Sequence, residues 1–229
     1  MIIAYAGQKG GSGKSTLAIA TASELHRRGH RTLLVDADPQ GTSATWGAVA
    51  AEHMTEDPDY TYPDVVMMGA NLHKQLLSVA QGYDMVIIDC PGRDDARQRG
   101  ALAVADVAIV PVTPDTSDVW ALSGTLELVQ QARTFRPDLM AALLLNKMRA
   151  GTVEANEARD MLSEANLPIL NSELGLRITY GRFAHSGQGV AQFKPGGKAS
   201  LEIKALVSEL EERFCTTPDE GRRHEQEVA

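Results

Sequence analysis

The sequence predicts a doubly wound α/β fold with a mostly parallel sheet flanked by helices, and three observations carry the prediction. Short apolar runs alternate with longer stretches of helical periodicity, the pattern of βαβ units. The runs are nearly continuous in Ile, Val, Leu and Ala, as strands are when helices cover both faces of their sheet. A chain of 229 residues, 43% of them hydrophobic, is also long enough to bury one large core.

The elements follow in order. Met1–Ala6 is the first strand, and a glycine-rich turn leads from it into a helix over Ser15–Arg28. That helix places Leu17, Ile19, Ala20, Ala22 and Leu25 on one broad face, and Gly29 supplies its stop. Arg31–Asp36 is the second strand, whereas Glu52–Met68 has a mixed pattern that assigns no element. Met85–Asp89, Asp106–Val112 and Met140–Asn146 are further strands, with a shorter one at Pro168–Leu170. Thr116–Arg133, Val153–Ala165 and Ala199–Phe214 have helical periodicity. From Cys215 the chain turns polar and loses its period, so it divides into one domain, 1–214, and a flexible polar tail, 215–229.

Composition excludes several classes. With 22 Lys+Arg against 30 Asp+Glu the formal charge is −8, so any contact with nucleic acid needs a local basic patch rather than bulk attraction. Cys90 and Cys215 lie far apart, without a CxxC or a nearby His pair, which excludes a disulfide framework and a zinc site. No apolar run approaches the roughly 20 residues that span a bilayer, and the first residues form a strand pattern without a charged leader. The expectation is a cytoplasmic protein.

Chemistry concentrates in Lys9-Gly10-Gly11-Ser12-Gly13-Lys14-Ser15-Thr16, between the first strand and the first helix. Glycines let successive N–H groups turn inward onto phosphate oxygens, and the helix N-terminus adds partial positive charge. Lys14 suits β- and γ-phosphates and Ser15 suits Mg²⁺. The strict pattern G-x-x-x-x-G-K-[ST] requires glycine at position 8, where this chain has Gln8 preceded by Gly7.

Val35-Asp36-Ala37-Asp38-Pro39 and Met85-Val86-Ile87-Ile88-Asp89 bring three carboxylates to strand ends, where open α/β sheets bind ligands. By spacing alone the first pair could equally open a turn before Pro39, and an apolar strand ending in Asp is common. The glycine loop gives both their weight.

The loop resembles the deviant Walker A segment, K-G-G-x-G-K-[ST], of ParA-type partition ATPases and MinD-type positioning ATPases, and the likeness runs to about Glu212. This resemblance implies a P-loop NTPase fold, ATP and Mg²⁺ as cofactors, and a homodimer that sandwiches ATP. Lys9 then reaches across to the partner's nucleotide, where a cation stabilises charge developing on the transferred phosphoryl group. Asp38 matches the residue that orients the attacking water, Asp36 lies near the magnesium shell, and Asp89 has the form of a Walker B carboxylate that holds Mg²⁺ through water. Gly7 departs from the Asn usual in ParA-like loops that continue with Gln.

Leu143–Lys147 resembles the base-recognition edge of P-loop NTPases, with Asn146 on the purine. A guanine site needs an acidic residue three positions on, and Arg149 stands there, so adenine is favoured. Val110–Trp120 resembles the proline-punctuated loop of small ParA proteins. Arg177, Arg182, Lys194, Lys198 and Lys204 form the best local basic patch, matching a region that in ParA proteins binds double-stranded DNA nonspecifically in the ATP state. MinD-type membrane insertion is not expected, because residues 215–229 lack an apolar face and contain Pro218 and Gly221.

The sequence therefore predicts a nucleoid-associated ATPase that segregates or positions a plasmid, chromosome or protein cargo, reset when a ParB-like or cargo adaptor stimulates hydrolysis. The competing expectation is an ATP-dependent synthetase of the dethiobiotin type, which shares the lysine-bearing loop.

Overall fold

The computed structural model describes residues 1–215 except 58, 94, 95, 115, 150, 151, 153–158, 161, 163 and 164, with backbone only for 116–121. Among the described residues one parallel sheet contains β1 (Ile2–Tyr5), β2 (Thr32–Asp36), β3 (Asp64–Met67), β4 (Met85–Asp89), β5 (Val107–Val112), β6 (Met140–Met148) and β7 (Ile169–Gly175). Their spatial order is β3-β2-β4-β1-β5-β6-β7. The helices are α1 (Lys14–Arg27), α2 (Thr42–Glu56), α3 (Leu72–Ala80), α4 (Ala96–Leu102), α5 (Thr116–Phe135), α6 (Ile178–Phe183), α7 (Val190–Phe193) and α8 (Lys198–Leu210). A π-helical turn, Glu211–Cys215, continues α8. Most of the helix expected at Val153–Ala165, and the tail beyond Cys215, lie outside the described residues. No described helix is long and apolar enough to cross a membrane.

Each strand feeds two apolar layers because successive side chains point to opposite faces. Ile3 and Tyr5 pack with residues of α1 and α8 in one layer, and Ile2, Ala4 and Ala6 pack with residues of α3, α4 and α5 in the other. This double cover is why the strand sequences are apolar throughout. It also leaves the strand ends as the places where polar groups can gather. β2, β4 and β1 are adjacent, with Asp36 and Tyr5 both in register with Asp89, so the glycine loop and the two acidic turns leave the sheet side by side.

Two strands differ from the sequence expectation for physical reasons, and the helices α2, α3, α4, α6 and α7 add to those expected. β3 occupies part of the unassigned Glu52–Met68 stretch; it is a four-residue outer strand with Asp64 and Met67 exposed, so it lacks a buried strand's apolar run. β7 extends to Gly175, well past Leu170, because it stays paired with β6 at Glu173 and Gly175 and α8 supplies further partners for its backbone. Both Glu209 oxygens accept N–H groups, from Asn171 at 2.7 Å and Ser172 at 2.6 Å, and Glu202 accepts the Gly175 N–H at 3.3 Å. Charged side chains thus occupy an edge that could otherwise pair with another chain.

Burial pushes the Glu209 carboxyl up, but the Asn171 and Ser172 bonds outweigh it and hold the carboxyl below its usual range. A depressed acid contributes stability that is present above its unfolded pKa and lost as pH falls through the folded value. Glu209→Gln is therefore expected to cost about 1–3 kcal/mol at neutral pH. The gap to wild type in urea unfolding should close as pH falls below the usual glutamate range.

Candidate nucleotide site

The loop between β1 and α1 is shaped by glycines in conformations that L-residues avoid: Gly11 has φ +77° and Gly13 has φ +97°. No acidic residue occupies the first turn of α1, so its positive end is open to an anion. Lys14 is buried at the start of that helix, and its Nζ donates to the Lys9 carbonyl at 2.9 Å. Burial lowers the Lys14 pKa, while Asp89, Cys90 and Asp38 oppose the shift. Lys9, Ser15 and Thr16 are half-buried, Gly10 and Gly11 are exposed, and Ser12 is buried with its hydroxyl turned toward the Lys9 carbonyl.

The end of β6 clamps this loop from outside. Asn146 Nδ2 donates to the Ser12 carbonyl at 2.7 Å, while its Oδ1 accepts the Lys147 N–H at 2.9 Å. Lys147 adopts φ 58°, unusual for a side chain of its size, and its Nζ donates to the Gly11 carbonyl at 2.5 Å. Both ends of the Asn146 amide are thus engaged within the protein.

Opposite Lys14 stand the carboxylates. Asp36 is fully buried, and its oxygens accept the Asp38 N–H at 3.0 Å and the Ala44 N–H at 2.8 Å, which fixes the turn into α2. Asp89 is also fully buried: Oδ2 accepts the Ser43 hydroxyl at 2.8 Å, and Oδ1 has no hydrogen-bond partner among the described residues. Burial pushes Asp89 up to about 7, with Asp36 and Asp38 adding to the shift and the Ser43 and Ser15 hydroxyls opposing it. Asp38 is half-buried and accepts the Gln40 N–H at 3.0 Å. The orphaned Asp89 oxygen and the Ser15 hydroxyl are hard oxygen donors of the kind Mg²⁺ takes together with phosphates and water. No cluster of three or more His, Cys, Asp or Glu able to hold a metal exists among the described residues. Burial raises the Cys90 thiol far above the range of a reactive thiolate.

A cleft of about 440 Å³ opens beside the loop, lined by Gly13, Thr16, Asn146, Lys147, Tyr180 and both Arg177 and Arg182, among others. Two residues expected to face DNA therefore border this cleft. Arg177 is half-buried, with its guanidinium forked onto Glu202, one bond being 2.9 Å. Lys204 is half-buried on α8, whereas Arg182, Lys194 and Lys198 are exposed.

The fold brings three further residues here, Gly92, Ser43 and Lys147, to which the sequence assigned no contact with the loop or the carboxylates. A Cβ on Gly92 would stand 3.1 Å from the Gly10 Cα and 3.3 Å from the Lys14 Nζ, so the turn after β4 touches the glycine loop. Its only sequence signal is its place after Cys90-Pro91. Ser43 carried no signal, and Lys147 only that of the base-recognition edge, because their partners Asp89 and Gly11 are distant in the chain.

A glycine loop at a helix N-terminus, a buried lysine and adjacent strand-end carboxylates define a P-loop nucleotide-binding protein. Residues 3–190 match the CobQ/CobB/MinD/ParA nucleotide binding domain, and the chain belongs to that family. Among its relatives, Maintenance of carboxysome distribution protein A of Halothiobacillus neapolitanus is 29% identical over 91% of this chain and 95% of its own length. Chromosome-partitioning ATPase Soj of Thermus thermophilus is 28% identical over 91% of this chain and 94% of its own. In structure, cobyrinic acid a,c-diamide synthase of Mycobacterium smegmatis, solved with ADP and magnesium, aligns over 94% of this chain and 96% of its own, with TM-score 0.73 and 18% identity. The last likeness concerns the fold alone. The expected α/β class and the ParA/MinD kinship are thereby borne out.

Proposed function

We propose that this chain is a ParA-type ATPase that dimerises around two ATP molecules, binds double-stranded DNA nonspecifically in that state, and drives partition or positioning of a cargo. The observation that carries the reading is the pairing of two lysines in one glycine loop, Lys14 buried and Lys9 half-buried, beside Asp36, Asp38 and Asp89. Lys14 binds the β- and γ-phosphates of its own nucleotide, supported by the N–H groups of 10–16 at the head of α1. Ser15 and Asp89 would hold Mg²⁺, and Asp36 sets the turn that presents Asp38. When bound, Mg²⁺ would supply positive charge to the phosphate oxygens. Asp38 orients the attacking water, and Lys9 of the partner subunit stabilises charge on the transferred phosphoryl group. Hydrolysis to ADP and phosphate releases the dimer, and an adaptor on the cargo stimulates that step.

The adenine base lies in the cleft beside Asn146. With Arg177 on Glu202, the DNA contacts fall to Arg182, Lys194 and Lys198, the exposed members of the basic set. Such contacts go to phosphates and place the protein on the nucleoid. Relatives named for carboxysome distribution and chromosome partitioning support a positioning role.

The test is binding of the purified protein to random double-stranded DNA across a salt series with ATP, ADP or no nucleotide. Binding should require ATP and weaken with salt, by a log–log slope of roughly −0.9 for each phosphate contacted. Absence of binding at low salt in every nucleotide state would overturn the positioning mechanism and bring the synthetase reading forward.

A further inference from the structure

The glycine loop is entered through Gly7 and Gln8, and a side chain from a different helix holds each of their N–H groups. The Gly7 N–H donates to Oε1 of Gln98 on α4 at 3.0 Å, and the Gln8 N–H donates to Oγ1 of Thr125 on α5 at 3.1 Å. Gln98 is fully buried and Thr125 nearly so. The Gln98 Nε2 is buried with no hydrogen-bond partner among the described residues. A buried donor left unpaired is costly, so the bond at the other end of the amide is the one this residue keeps.

This arrangement accounts for the departure from the strict phosphate-loop pattern. Gln8 stands where glycine is usual, and its side chain lies against α5 at Gly124, where a Cβ would fall 2.4 Å from Gln8 Oε1. A loop with glycines at 10, 11 and 13 has many conformations to lose when it closes on phosphate. Fixing its entrance removes part of that loss in advance.

We infer that Gln98 and Thr125 are positioning residues for the phosphate loop: by holding two successive N–H groups at its entrance they pre-shape it for a triphosphate and tie it to α4 and α5. The inference rests on the nucleotide-binding reading above. α4 follows the Asp89–Gly92 turn and α5 follows the segment after β5, so loop shape is coupled to both of these segments.

The experiment measures Mg·ATP turnover for Gln98→Leu, Thr125→Val and Thr125→Ser, with thermal unfolding of each nucleotide-free protein. Loss of either acceptor should raise KM about tenfold, the scale of one buried hydrogen bond. The change in kcat should stay under about threefold, since the bond acts on binding rather than on the reacting atoms. Thr125→Ser keeps the hydroxyl and should behave as wild type. A wild-type KM in Gln98→Leu or Thr125→Val overturns the inference, and so does a Thr125→Ser as impaired as Thr125→Val, which would mean packing alone. Should Gln98→Leu fail to fold, the Thr125 pair decides. A wild-type protein that binds Mg·ATP no more tightly than Lys14→Ala in calorimetric titration would instead sink the nucleotide reading, and this inference with it.

Discussion

Lys14→Ala is expected to weaken Mg·ATP binding at least about hundredfold, because two or more charge-assisted hydrogen bonds to phosphate oxygens disappear from a buried site. The structure explains why no neighbour compensates. Lys147, the other lysine reaching the loop, donates to the Gly11 carbonyl at its outer lip, whereas Lys14 lies inside, facing Asp89. Burial alone would drive the Lys14 ammonium toward neutrality; the carboxylates beside it work to keep it charged and ready for phosphate. Lys14→Met keeps the apolar stem in place and should lose affinity equally, separating the charge from the packing. Calorimetric titration with Mg·ATP measures both, and retained affinity in either would overturn the phosphate-loop assignment.

Gly13→Ala should damage both stability and binding. The residue has φ +97°, and its added Cβ would fall 2.5 Å from the Asn146 Nδ2, the atom bonded to the Ser12 carbonyl. Left-handed strain and the broken Asn146 bond together amount to about 2–5 kcal/mol. Because the clash and the bond share one partner, the effects of Gly13→Ala and Asn146→Ala should not add. The double variant should be more stable than the sum of the singles by at least about 1 kcal/mol in urea unfolding. Additive losses would show that Asn146 is not what excludes the methyl group. Nucleotide affinity should stay low in the double variant, since the left-handed strain at the head of α1 persists.

Much of this molecule was legible in one dimension because its strongest signals are local. An apolar run such as Met85–Asp89 is a buried strand whatever its neighbours are, and Lys9–Thr16 announces a phosphate loop through glycines and lysines a few residues apart. The carboxylates at 36 and 89 were readable as strand ends, but not as cross-strand partners, since register between β2 and β4 is a property of the sheet. β3 was missed because an outer strand is half wet, and α4 because seven residues containing Gly100 carry too little periodicity.

The sequence alone determined the α/β class, the position of the glycine loop, the family likeness and the acidic residues available to the site. Only the tertiary structure decided what each polar group does with its hydrogen bonds. It took Arg177 to Glu202, turned the Asn146 amide onto the loop, gave both Asp36 oxygens to backbone N–H groups and left one Asp89 oxygen without a hydrogen-bond partner among the described residues. The physical reason is separation along the chain: the partners of Gly7 and Gln8 lie 91 and 117 residues away. No local pattern encodes a bond whose two ends meet only when the sheet has stacked its strands in the order 3-2-4-1-5-6-7.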